Sequence, residues 1–197
     1  MKKIGITGGI GAGKSLVCKI FEVLDIPNYP ADARAKWLQV NNSQLKAQIE
    51  ALFGAEAYQE GQLNRAFISK IVFDNPEKLK KLNELVHPAV AKDFQQWCEN
   101  HQDKPFILKE AALLFETGSY KQLDATILVH APEEIRLKRT LQRDPHRTEE
   151  EVQKIMDQQM EESKKLELAD FIITNDGKTS LIKQCHSLFE KISRPIQ

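Results

Sequence analysis

Near the amino terminus Gly8, Gly9, Gly11 and Gly13 crowd into a stretch closed by Lys14 and Ser15. The spacing Gly8-x-x-x-x-Gly13-Lys14-Ser15 is that of a phosphate-binding loop. Both required flanks are present: a β-branched run at Lys3-Thr7 before it and an apolar-periodic run at Leu16-Leu24 after it. Glycine carries an entropic cost in any regular element, so this many together would serve a ligand that comes close to bare backbone. Successive amides can then turn in around phosphate oxygens at the positive end of the following helix. Lys14 would neutralise the β and γ phosphates, and the Ser15 hydroxyl would hold Mg²⁺. A dinucleotide-type G-x-G-x-x-G through Gly8 or Gly11 gives Lys14-Ser15 no purpose, which favours a mononucleotide.

The rest of the chain narrows what is done to that phosphate. The guanine reader N-K-x-D and the switch D-x-x-G of GTPases are absent from the sequence, and the third strand ends Ile107-Leu108-Lys109-Glu110, without the paired acids of motors. A kinase needs instead an acceptor site and a means of excluding water. Asp32 follows a second strand-like run, so it would lie at the sheet edge that faces the phosphate loop. There it would serve as general base or as the acceptor that aligns a hydroxyl; a helix N-cap is the equally open structural role. Arg136, Arg139 and Arg143 at i, i+3 and i+7 place three guanidinium groups on one helix face. Such a face suits charge developing on a transferring phosphoryl group, or simple solvation.

These residues need a frame. Strand-like runs at Lys3-Thr7, Pro105-Leu108, Ala125-His130 and Phe171-Thr174, with a weaker one near Ile26-Tyr29, alternate with helical patterns. That alternation predicts an α/β fold with a P-loop NTPase-type parallel sheet of about five strands flanked by helices. Residues 36–100 break it, reading as helix after helix with no convincing strand. Leu45, Ile49, Leu52 and Phe53 form one stripe, Phe67, Ile68, Ile71 and Val72 another, and Val90, Phe94 and Trp97 a third. Asn75-Pro76 and His87-Pro88 read as helix starts. A second insertion, residues 132–167, is charged, and Thr148 with Glu151 has the form of a capping box. The expected organisation is one kinase domain over residues 1–197. Its core comprises residues 1–35, 101–131 and 168–197, with a helical acceptor-binding subdomain at 36–100 and a helical lid at 132–167.

Bulk composition limits the partners. With 28 basic and 28 acidic residues, no global field draws the chain to nucleic acid or to an anionic membrane, so an anion site must be local. Cys18, Cys98 and Cys185 are far apart with no CxxC, which points to buried, reduced thiols rather than a metal site. No stretch approaches the length of a membrane span. A soluble, cytoplasmic protein without nucleic-acid or membrane partners is expected; oligomeric state is not legible.

The strings ITGGIGAGKS, ADARA, LNRAFISKIVFDNPEKLKKLNELVHPAV, ALLFETG, RLKRTLQRD and LADFIITNDG fall in the order and spacing of dephospho-CoA kinases, and the chain resembles that family over nearly its whole length. Phe73 through His87-Pro88, Leu113-Leu114-Phe115-Glu116 and Asn175-Asp176-Gly177 are more particular than the glycine loop. The resemblance implies transfer of the γ-phosphate of ATP, with Mg²⁺, to the 3′-hydroxyl of the ribose of dephospho-CoA. It implies that Gly8, Gly9, Gly11, Ala12, Gly13, Lys14, Ser15 and Leu16 surround the ATP phosphates, and that Asn175 and Gly177 lie near the adenine. It further implies that Asp32 serves the 3′-hydroxyl while Arg139 and Arg143 close from the lid. Arg65, His87 and Leu114 would meet dephospho-CoA, although a His before Pro also caps or packs helices. Leu16 stands where the family often has Thr, which leaves Ser15 as the Mg²⁺ candidate. Pro30-Ala31-Asp32 replaces a frequent Asp-Ala-Asp and concentrates the base role on Asp32; Ala112 replaces a common Pro, and Arg136 a frequent Gln. Without the resemblance, a nucleoside or nucleotide acceptor and a nucleotide-dependent switch protein both stay open.

Overall fold

The structure is a computed structural model and describes residues 1–194; residues 195–197, at the end of the predicted core segment 168–197, lie outside the described residues. Two compact units emerge, one formed by Met1–Pro30 with the chain from His101 onward, the other by Ala31–Asn100.

The first unit is built on a parallel sheet of β1 (Lys2–Thr7), β2 (Asn28–Pro30), β5 (Phe106–Glu110), β6 (Ala125–His130) and β7 (Phe171–Thr174), in the order β2-β5-β1-β6-β7. The sheet is the one the alternation predicts. Its inner strands are apolar on both faces because both are covered, as parallel sheets require. Ile4, Ile6, Phe106, Leu108, Ile127, Val129 and Ile173 pack with Val17, Cys18 and Phe21 of α1 (Lys14–Val23) and with Cys185, Leu188 and Ile192 of α9 (Leu181–Ser193). Each fully buried side chain of this kind contributes on the order of 1.5–3 kcal/mol.

Two strand boundaries move from their sequence positions. β2 begins later than Ile26, since pairing opens with the Leu108 amide donating to the Pro27 carbonyl at 2.9 Å. β5 runs on through Lys109 and Glu110, because backbone pairing to β1 and β2 on either side does not depend on side-chain polarity. Registers Ile6↔Glu110, Pro30↔Glu110, Thr7↔Leu128 and His130↔Thr174 bring the carboxyl ends of the strands to one edge.

The charged insertion folds within this unit as α6 (Glu133–Arg143), α7 (Glu149–Asp157) and α8 (Glu162–Leu168). The capping box forms as its spacing predicts: Thr148 accepts from the Glu151 amide at 3.2 Å and Glu151 from the Thr148 amide at 2.9 Å.

The second unit contains α2 (Ala31–Asn41), α3 (Ser43–Phe53), α4 (Arg65–Phe73) and α5 (Pro76–Glu99). Leu38, Leu45, Ile49, Phe53, Ile68 and Val86 form its core. Two expectations fail here. Residues 58–63 are a β-hairpin, β3 (Tyr58–Gln59) with β4 (Gln62–Leu63), turned at Glu60 and Gly61, both at positive φ. That two-residue left-handed turn matches strand twist and needs no long apolar run to announce it. His87-Pro88 is not a helix start: α5 is continuous from Pro76 to Glu99 through Pro88. Pro88 has no amide to give the Glu84 carbonyl; both residues are on the exposed face, where that loss is tolerated, while Val86 on the other face stays in the core.

Candidate active site

The phosphate loop joins β1, the middle strand, to α1 at the carboxyl edge of the sheet. Helices α3, α4, α5, α7 and α9 each carry a side-chain cap, from Asn42, Asn64, Asn75, Thr148 and Ser180. α1 starts from Gly13 with no side-chain cap and no acid in its first turn among the described residues. Its positive end is left to an anion.

The glycines have a further cause that the sequence does not show. Gly11 has φ +77°, and a Cβ there would stand 2.7 Å from Thr140 Oγ1 and closer still to the Arg136 carbonyl oxygen. Gly13 has φ +94°, and a Cβ would collide with the Asn175 side-chain amide. The loop is therefore bare because the protein packs against its outer side, in addition to whatever approaches its concave side. Lys14 Nζ donates to the Gly8 carbonyl at 2.8 Å, which folds the lysine back across the loop.

Ser15 Oγ donates to Glu110 Oε1 at 3.1 Å. Glu110 is silent in the sequence, because its strand carries no paired acid. Its position comes from the register of β5 beside β1, across 95 residues of chain. A hydroxyl and a carboxylate side by side at the edge of a phosphate loop are the hard oxygen donors that Mg²⁺ takes together with phosphate oxygens.

The three arginines of α6 do not act as one face. Arg136 is 6% exposed; its Nε donates to the Ala131 carbonyl at 3.1 Å and its guanidinium lies against Gly9. Arg139 is held by Asn175, donating to the backbone oxygen at 3.0 Å and to Oδ1 at 3.2 Å. Arg143, at the exposed end of the helix, pairs with Asp144 at 2.8 Å. That hydrogen bond holds the Asp144 carboxyl below the usual carboxylate range and raises Arg143.

Asn175 is nearly buried, and its amide nitrogen donates to the Ala12 carbonyl at 2.7 Å while its backbone amide donates to His130 at 2.7 Å. It ties the phosphate loop, β6 and Arg139 together. Beyond it, Asp176 accepts from the Lys178 and Thr179 amides at 2.9 and 2.8 Å, closing a turn through Gly177 at φ +79°. Those amides, Thr179 first, hold Asp176 below the usual carboxylate range.

The remaining expected site residues divide between the two units. Leu114 is fully buried, packed where a Cβ on Gly5 would stand, while Leu113 is exposed. Asp32, Arg65 and His87 belong to the second unit, on α2, α4 and α5 respectively, and all three are exposed. Asp32 is the second residue of α2, inside the first turn rather than at the capping position.

Residues 2–180 match the sequence profile of the dephospho-CoA kinase family. A dephospho-CoA kinase of Chlorobium chlorochromatii is 40% identical over 197 residues, covering 96% of this chain and 92% of that protein. A crystal structure from Thermus thermophilus superposes with a TM-score of 0.86 at 31% identity, covering 96% of both chains. The dephospho-CoA kinase of Campylobacter jejuni superposes with a TM-score of 0.70 at 28% identity, covering 97% of this chain and 96% of that one. The agreement runs through the glycine loop, the helical insertion, the charged insertion and the Asn175 turn alike, and by it the chain belongs to the dephospho-CoA kinase family, whose phosphoryl donor is ATP.

Proposed function

We infer that the protein transfers the γ-phosphate of ATP to the 3′-hydroxyl of the ribose of dephospho-CoA, giving coenzyme A and ADP. The observation that carries this reading is family membership over residues 2–180, which includes both insertions and not the glycine loop alone. The loop from Gly8 to Leu16 would cradle the triphosphate with its amides, and Lys14 would offset the β and γ charge. Ser15 and Glu110 would hold Mg²⁺, which would supply positive charge against the charge developing on the phosphates. Asp32, two residues beyond the carboxyl end of β2, would accept the proton of the 3′-hydroxyl as that oxygen bonds to the γ-phosphorus and the bond to ADP breaks. Arg139 and Arg143 would meet the transferring group from the lid, and Asn175 and Gly177 would flank the base. Arg65 and His87 would contact the acceptor from the helical unit. Leu114 enters as packing over Gly5 of β1, since its own side chain is buried. A cytoplasmic setting suits substrates of this kind, and among the described residues no helix is long and apolar enough to cross a membrane.

The test is turnover with ATP, Mg²⁺ and dephospho-CoA, with the product's phosphate located by ³¹P NMR. A 3′-phosphorylated product with stoichiometric ADP is expected. Folded protein that leaves dephospho-CoA untouched but phosphorylates a nucleoside in an acceptor panel would overturn the reading.

A further inference from the structure

The crest of the phosphate loop is gripped from outside by the charged insertion. The Ile10 amide donates to Oε1 of Gln159 at 3.0 Å, and Gln159 sits in the turn between α7 and α8. On either side of Ile10, Gly9 lies against the Arg136 guanidinium and Gly11 against the Arg136 carbonyl. The turn that carries Gln159 is itself fixed. The Gln159 amide donates to the Met156 carbonyl at 3.0 Å, and the next amide, of Met160, donates to Glu116 Oε1 at 2.9 Å. Lys165, 1% exposed, brings its Nζ within 3.6 Å of the same oxygen. Glu116 closes the Leu113-Leu114-Phe115-Glu116 string, and no role is implied for it by the resemblance. Here it anchors the turn that reaches the loop.

We infer that Gln159 is a positioning residue for the ATP phosphates. By holding the Ile10 amide outward, it sets the curl of Gly9–Gly11 and so the aim of the loop amides that follow. The inference rests on the ATP-binding reading of the loop given above. Gln159 touches no reacting atom; it acts through Ile10, with Glu116 keeping the glutamine in place. The charged insertion is thus a wall of the phosphate site at its base, whatever its outer helices do.

The test is Gln159→Met, which keeps length and removes the acceptor. One net hydrogen bond is worth roughly 0.5–1.5 kcal/mol, so the KM for ATP, and the Kd for ATP titrated without acceptor, should rise about 2–13-fold. The KM for dephospho-CoA should stay unchanged, and hydrogen exchange at the Ile10 amide should quicken while that of Ile6 in β1 does not. Wild-type ATP affinity in the variant, or equal rises in both KM values with no change at Ile10, would overturn the inference. If Gln159→Met does not fold, Gln159→Asn, a methylene too short to reach, decides by the same readings. A wild-type protein that binds ATP but leaves dephospho-CoA untouched would defeat the proposed reaction while the Kd comparison still judges Gln159.

Discussion

Asp32 and Glu110 are two acids whose legibility differs for a physical reason. Asp32 announces itself because it follows a strand-like run, and every parallel strand delivers its next residues to the same sheet edge. Asp32 is exposed and stands as the second residue of α2, one position inside the helix. Asp32→Asn should lower kcat by about two to four orders of magnitude, with little change in ATP affinity, because a base acts in the transition state. Steady-state kinetics with a separate ATP titration decide it; parallel losses in binding and turnover would assign Asp32 to metal or fold. Glu110 is silent in the sequence, since only strand register brings it to Ser15. Glu110→Gln keeps the shape and removes the charge. It should raise the Mg²⁺ concentration needed for half-maximal activity by about tenfold, roughly 1.4 kcal/mol, while metal-free nucleotide binding stays as it was. A Mg²⁺ titration of both proteins at fixed ATP is the measurement.

Elements follow the same division. Periodicity locates the sheet and the helical stripes, and the Thr148–Glu151 spacing the capping box, because each is written in neighbouring residues. Proline's preference for a first helical turn points wrongly to a helix start at Pro88, which lies on an exposed face where one lost hydrogen bond is cheaper than breaking the apolar side of α5. Periodicity is blind to the hairpin at residues 58–63, whose signal is a two-residue turn. The arginines of α6 share a face by spacing, yet burial and partners give them three separate tasks. The Leu168-Ala169-Asp170 string shows what a motif can mean at this scale. Asp170 Oδ2 accepts from both the amide and the hydroxyl of Thr126 at 2.8 Å, and its own amide donates to Thr126 Oγ1 at 3.2 Å, pinning the entry of β7 to the start of β6. Asp170→Ala would strand the donors of Thr126, which is 3% exposed. It should cost about 2–3 kcal/mol in urea unfolding, with both KM values unmoved.

At the scale of the whole molecule, equal numbers of acids and bases leave stability against pH to the few groups whose ionisation differs between folded and unfolded chain. On the acid side these are Asp144, held below the usual range by Arg143, and Asp176, held by the Thr179 and Lys178 amides. A lowered carboxyl contributes stability above its unfolded pKa, near 3.9, and loses it as pH falls through the folded value. Both residues are only partly buried and their partners lie within a few residues of them, so this limb should be shallow. On the alkaline side burial pushes Cys185 from 9.0 to about 11 and moves Cys18 in the same direction. A raised thiol keeps its contribution below the unfolded pKa and loses it as pH climbs towards the folded value, at up to about 1.4 kcal/mol per pH unit for each thiol. Both side chains are fully buried, so this limb should be the steeper. Tyr58, raised by burial from 10.0 to about 12, adds to it only at higher pH. Urea midpoints should therefore hold level between about pH 5 and 8 and fall between about 8 and 10. Cys185→Ala should flatten that fall without touching the acid limb, and Asp144→Asn the reverse; identical profiles for the variants and the parent would show that these groups do not set the pH range of the fold.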